Sequence, residues 1–166
     1  MSHLPPQPES DSTEPLPQKP DTSTRPDSDL AWAAGFLDGE GCINIAKQRY
    51  KTGRSDTYRL GVSLAQNNLP TLEAFRTAVG ILSPIHPTKR LDNHSRQCYT
   101  LNFSGKKARL LLIALMPYFR RKLKEATAGL EFWTEGRVGL PRKGKRVDPE
   151  ITAKREYYYL LLQRLK

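Results

Sequence analysis

The segment Ala31-Trp32-Ala33-Ala34-Gly35-Phe36-Leu37-Asp38-Gly39-Glu40-Gly41 constrains this chain more than any other. Asp29 precedes it as a helix cap, and two glycines within three residues predict that the helix closes over Asp38-Gly39-Glu40-Gly41. Ala31, Ala34, Gly35, Asp38 and Gly39 recur at i, i+3 and i+4, a stripe almost without side chains. Such a stripe lets a second helix backbone approach closely. Glu40 stands at its exit. Two copies packed face to face bring two carboxylates together, and like charges that close disfavour joint ionisation unless a hard divalent cation sits between them. Phosphodiester hydrolysis suits such a site. The plain alternative is Ala/Gly packing in an ordinary core with a polar stop.

Period-two alternation follows. Cys42 to Gln48 sets Ile43 and Ile45 against Asn44, Ala46 and Gln48, and Thr57 to Gln66 sets Tyr58, Leu60, Val62 and Leu64 against Thr57, Arg59, Gly61 and Ser63. Leu69 to Val79 has helical spacing, with Pro70 in its first turn and Gly80 as its stop. Ile81 to Arg90 reads as a poor, edge-type strand because Pro84 and Pro87 interrupt it. Arg96 to Phe103 alternates again. Ser104 is placed as the cap of a helix through Met116, a second helix is expected from about Phe119 to Thr134, and Asp148-Pro149 starts a last one, with Tyr157-Tyr158-Tyr159 as a packing face. The order predicts an α+β fold, an αββαββα core with an antiparallel sheet saddle and helices on its apolar face.

Charge sorts the chain into parts. Residues 1–29 hold seven prolines and six acids against two bases, net −4; residues 30–166 hold 25 bases against 11 acids, net +14. The expected organisation is a disordered tail (1–28), a core (29–135), a basic flexible linker (136–147) and a C-terminal helix (148–166). The basic part implies a polyanionic partner. Cys42 and Cys98 cannot build a disulfide scaffold or a four-thiolate zinc site, and no apolar run is long enough to span a bilayer or serve as a secretory signal. An intracellular setting is expected, with bacterial or phage-host cytoplasm, nucleoid and organelle left open. The polar sheet face offers Asn, Gln, Arg, Ser and Thr with almost no acids, a composition suited to base edges and phosphates.

Ala33 to Gly41 resembles the signature motif of the LAGLIDADG homing endonucleases, with Glu40 where aspartate is commoner; the likeness extends from about Ala31 to Trp133. The resemblance implies that Glu40, with the carbonyl of Gly39, binds the catalytic metal, Mg²⁺ with Mn²⁺ as substitute. It implies that Gln66 orients the solvent around the nucleophile, and that Lys122, rather than Arg120, joins that network. The plain alternatives are a strand-end cap for Gln66 and an exposed phosphate-neutralising lysine for Lys122. Relatives often carry a further basic residue just after the glutamine, and Asn67-Asn68-Leu69-Pro70 has none.

In the family this chain resembles, members with one motif act as homodimers, so the single motif here, with no internal repeat, implies a homodimer joined through Ala31, Ala34, Gly35, Asp38 and Gly39, acting on a long, pseudo-palindromic double-stranded DNA site. As in the family, both strands would be cut across the minor groove to leave 3′ overhangs. Candidates for base or phosphate contact are Asn44, Gln48, Tyr50, Arg54, Arg59, Ser63, Arg90, Arg96, Thr100 and Asn102, with Lys143, Lys145 and Arg146 as phosphate contacts from the linker. The competing reading on the same fold is an intron RNA splicing maturase or a non-cleaving DNA-binding regulator; no membrane partner is expected.

Overall fold

The computed structural model describes residues 26–50, 55–88, 96–138, 140 and 147–166. Helix α1 spans Asp27–Glu40 and leads directly into strand β1, Gly41–Gln48. Strand β2 (Thr57–Gln66), helix α2 (Leu69–Val79), strand β3 (Ile85–Pro87) and strand β4 (Tyr99–Ser104) follow. Helix α3 (Lys106–Leu115), a 3₁₀ turn (Met116–Tyr118), helix α4 (Leu123–Glu135) and helix α5 (Pro149–Arg164) complete the chain. The strands form one antiparallel sheet in the order β1-β2-β4-β3. The short, proline-bounded β3 lies at its edge, as Pro84 and Pro87 dictate.

One face of the sheet is the core. Ile43, Ile45, Leu60, Val62, Leu64, Leu101 and Phe103 meet Leu37, Leu72, Phe75, Leu111, Leu112, Leu115 and Phe132 from the helices, all buried. Fully burying a side chain of this size contributes about 1.5–3 kcal/mol. Aromatic contacts carry α1 to the sheet through α2: Trp32 stacks on Phe36 at 5.7 Å, Phe36 meets Phe75 at 5.9 Å, and Phe75 meets Phe103 at 6.2 Å. Helix α2 opens on the Asn68 side chain, which accepts from the N–H of Thr71, and ends at Gly80 in the left-handed region.

Several expected boundaries move, each for a tertiary reason. Helix α1 continues through most of its expected closing segment, with Asp38, Gly39 and Glu40 as its last residues and Gly41 as its cap, and Asp38 is held by hydrogen bonds from residues 120–122. It also starts at Asp27, so residues 27 and 28, grouped with the tail by composition, are helical, and the Tyr118 hydroxyl donates to Asp27 at 2.8 Å. Ser104 is the last residue of β4 and caps nothing; Gly105, at φ 58°, makes the turn into α3. Helix α4 begins at Leu123 rather than Phe119, because the preceding residues fold around Asp38.

Helix α5 braces the outer half of the first hairpin. Lys47 and Tyr58, partners in the β1–β2 register, both donate to the Glu156 carboxylate, Lys47 at 2.6 Å. Lys47 also lies 3.5 Å from Asp56. These bonds hold Glu156 below its ordinary pKa and Lys47 above its own, in both cases chiefly through the bond between them. Asp148 caps α5, accepting from the N–H of Glu150. Tyr158 is buried and Tyr159 half-buried while Tyr157 is exposed, so two of the three tyrosines pack, as the spacing predicts. No helix among the described residues is long and apolar enough to cross a membrane.

Candidate active site and nucleic-acid interface

The end of α1 is built by Asp38, which is only 9% exposed. One carboxylate oxygen accepts the backbone N–H of Arg120 at 2.8 Å and of Arg121 at 3.1 Å, and the other accepts that of Lys122 at 2.9 Å. Burial alone would raise this carboxyl, but the three backbone donors, together with the Lys122 charge, outweigh it and lower the pKa. The Asp38 carbonyl accepts from Lys122 Nζ at 2.8 Å and from Arg121 Nη1 at 3.1 Å. Two cations thus meet the carbonyl end of α1, where the helix dipole favours them. Gly41 turns extended, its N–H returning to the Leu37 carbonyl, and releases the chain into β1.

Two expected interface residues are therefore corrected. Asp38 is spent inside its own chain on residues 120–122, and Ala34 is fully buried in the core, so neither can face a partner. The stripe that remains outside is Ala31, Gly35 and Gly39, at i, i+4 and i+8 on one helix face. A Cβ built at Gly35 or Gly39 would meet nothing within 4 Å. Glu40 is exposed at the end of this helix, one residue after Gly39.

Lys122 is buried at 5% exposure rather than lying free on the surface, which sets aside the simple phosphate-neutralising role. Burial first, then the neighbouring Arg121 charge, lowers its pKa, against the opposing pull of Glu125, Asp38 and Cys42. Arg120 is exposed and engages Asp38 only through its backbone. Gln66 ends β2 two residues beyond Leu64, the register partner of Gly41, and so lies level with the end of α1. Its amide oxygen accepts from the N–H of Asn67 at 3.0 Å, the strand-end bond.

The donor set at this helix end is hard: the exposed carboxylate of Glu40 and the carbonyl oxygens after Asp38, at the end of the final helical turn. Among the described residues no group of three His, Cys, Asp or Glu could hold a metal ion. The Glu40 carboxylate and the Gly39 carbonyl are the hard oxygen donors here that could contribute to a divalent-cation site.

The sheet's second face is polar, and its register gathers the expected contact residues. Cys42, Ser63 and Asn102 form one row, Asn44, Gly61 and Ser104 the next, Ala46 pairs Arg59, and Gln48 pairs Thr57. Gly61 leaves room for its neighbour: a Cβ there would lie 2.7 Å from Asn44 Oδ1. Thr100 lies between Ala65 and His86, and its hydroxyl donates to the His86 carbonyl at 3.5 Å. Asn44, Gln48, Arg59, Ser63, Thr100 and Asn102 therefore share one surface. Tyr50 and Arg96 are exposed just beyond the strands. Arg54, Arg90, Lys143, Lys145 and Arg146 lie outside the described residues. His86 and Ser104 join the face without having been singled out; only the pairing register brings them there.

Comparison with known proteins follows this geometry. The LAGLIDADG endonuclease family pattern matches residues 33–127. No curated protein matches the sequence. The homing endonuclease I-CvuI, in complex with the I-CreI target in the presence of Mg, superposes with a TM-score of 0.65 at 22% identity, over 82% of this chain and 81% of that chain. The archaeal intron-encoded homing endonuclease I-Vdi141I, complexed with DNA, gives a TM-score of 0.67 at 16% identity, over 86% of each chain. I-LtrWI bound to target DNA gives 0.60 at 14% identity, over 88% of this chain and 46% of that one. At these identities the likeness shows the fold, and the family pattern supplies the rest: over more than half its length, this chain belongs to the LAGLIDADG endonuclease family.

Proposed function

We propose that this DNA endonuclease is a site-specific homing enzyme that works as a homodimer, cutting both strands of a pseudo-palindromic duplex in a divalent-metal-dependent reaction that leaves 3′ overhangs. The observation that carries this reading is Glu40, an exposed carboxylate at the tip of a helix whose outer face is Ala31, Gly35 and Gly39. A binding module gains nothing from a carboxylate held toward a polyanion.

Two chains meeting along that face bring both Glu40 side chains and both Gly39 carbonyls to one place, and these groups would hold the ion. When bound, a hard divalent ion, Mg²⁺ or in its place Mn²⁺, activates water and offsets charge on the attacked and leaving oxygens. The chain's own groups prepare the surroundings. Lys122, pinned to the Asp38 carbonyl, keeps a positive charge two residues from Glu40. Gln66, level with the helix end, is assigned to orient solvent. The polar sheet face reads base edges, and the net +14 of residues 30–166 attracts the backbone. A DNA substrate supports an intracellular setting for the protein.

The test is incubation of the full chain with Mg²⁺ and duplex DNA spanning the uninterrupted insertion site of its own gene. Specific double-strand cutting, lost in Glu40→Gln with DNA binding retained, is the expected result. Tight intron RNA binding with the DNA left intact would replace this reading with a maturase.

A further inference from the structure

Strand β4 leaves the sheet at Ser104, paired with Gly61, so among the described residues the first residues of β2 have no strand on that side. The Leu60 carbonyl there accepts instead from the N–H of Gly105 at 2.8 Å, and the Tyr58 carbonyl, two residues back and facing the same way, accepts from Arg155 Nη2 at 2.6 Å. Arg155 reaches this edge from α5 and is 8% exposed, its guanidinium near the rings of Tyr58 and Phe132 at 5.2 and 5.7 Å. Its Nε is buried and, among the described residues, has no hydrogen-bond partner.

A cavity of about 170 Å³ opens beside it, lined by Arg155, Arg59, Arg137, Trp133 and Tyr58 among others. Arg137 is held over the Trp133 ring at 4.2 Å. Among the described residues, none of these three arginines forms an ion pair with a carboxylate. The stretch 136–147 that continues from Arg137 contains no acid at all. A buried guanidinium with a spare donor normally finds an anion or a carboxylate, because a charge left unpaired in low dielectric is costly. Here Arg137, of its own sign, adds to the lowering that burial imposes on Arg155, against the pull of Tyr58. At about 30 Å³ for each water, the cavity has room for one small oxyanion and is well below the roughly 300–1,000 Å³ of pockets for larger ligands.

We propose that Arg59, Arg137 and Arg155 form a binding pocket for a single phosphate group at the open edge of β2. Arg155 supplies a fixed positive charge at the back, Arg137 a stacked guanidinium at the mouth, and Arg59 joins the pocket to the polar sheet face. The phosphate comes from the DNA backbone flanking the read bases, or from free inorganic phosphate. Only the first source rests on the proposed nuclease function.

The experiment has two arms. In the first, thermal unfolding of the full chain is compared in sodium phosphate and sodium chloride at equal ionic strength, with calorimetric titration of inorganic phosphate. Phosphate is expected to raise Tm above the chloride value, and Arg137→Gln to weaken phosphate binding at least tenfold. Arg155→Met is expected to do the same, and Arg137→Gln keeps the test valid if Arg155→Met fails to fold. Lys106→Gln, the same charge loss on α3, is expected to leave the effect in place. Equal Tm in both salts, or a phosphate effect that survives Arg137→Gln, overturns the pocket. In the second arm, the salt dependence of binding to a 30-base-pair random duplex is measured (roughly three turns, about 10 base pairs each). If the backbone is the source, Arg137→Gln lowers the slope by about one. An unchanged slope in Arg137→Gln, when that variant has lost the phosphate effect that the native chain shows, assigns the pocket to free phosphate. Failure to cut DNA would sink the nuclease reading and leave the first arm untouched.

Discussion

Asp38 and Lys122, 84 residues apart, hold each other twice: the lysine's N–H donates to the carboxylate at 2.9 Å, and its Nζ donates to the Asp38 carbonyl at 2.8 Å. With the N–H groups of Arg120 and Arg121 on the same carboxylate, this fixes the Glu40-bearing helix to the segment that carries Lys122. Asp38→Asn turns an amide NH₂ toward backbone donors, and hydrogen bonds to a charged group contribute about 1.5–3 kcal/mol each, so a loss of about 2–4 kcal/mol is expected in urea unfolding. The pH dependence follows from the lowered carboxyl. Its contribution is whole above the ordinary 3.8 and is lost as pH falls through the lower folded value, so the variant's acid unfolding limb should flatten there. An unchanged acid limb would remove Asp38 as the anchor.

Gly35 is exposed in mid-helix with nothing near a built Cβ. Gly35→Leu should leave the subunit folded, with up to about 1 kcal/mol of added helix propensity, and should prevent the close approach of two α1 helices. Sedimentation should show a dimer for the native chain and a monomer for the variant. A dimeric Gly35→Leu would place the interface elsewhere.

Glu156 ties α5 to Lys47 and Tyr58 across the first hairpin. Glu156→Gln should cost about 1–2 kcal/mol at neutral pH. Glu156 titrates below its ordinary 4.5, so its contribution is present above that pH and fades as pH drops through the lower folded value. Lys47 titrates above its ordinary 10.5, so its contribution holds below that pH and fades as pH rises through the higher folded value. The stability gap between native chain and variant should therefore close at both extremes, as measured by urea unfolding across pH.

Gly61 gives Asn44 its space, since an added Cβ would lie 2.7 Å from the amide oxygen. Gly61→Ala should swing that amide and change discrimination at one base pair of each half-site by about 1–3 kcal/mol, with the other positions unaltered. A binding profile identical to the native one would mean that Asn44 reads no base.

The elements with a clean period were legible. Thr57–Gln66 alternates without a break, and Leu69–Val79 carries its proline, its apolar spacing and its terminal glycine in the sequence itself. Tertiary bonds were not. Nothing around Asp38 announces that three backbone N–H groups more than 80 residues away will satisfy it, and backbone donors have no residue signature. Small residues likewise read the same on either helix face, and only the packed core shows that Ala34 lies inside while Ala31 and Gly35 lie outside. The Glu40 position and the polar sheet face could be found because residue type alone identifies them. The arginine pocket could not, because it depends on where β4 ends.

The central claim is that Glu40, at the tip of a paired α1, makes this chain a double-strand nuclease. Side-by-side cleavage and gel-shift assays of the native chain and Glu40→Gln, with Mg²⁺ and DNA spanning the insertion site, test it most directly. Both proteins should bind the site equally, and only the native chain should cut both strands. Normal cutting by Glu40→Gln, or binding without cutting by the native chain, would contradict it.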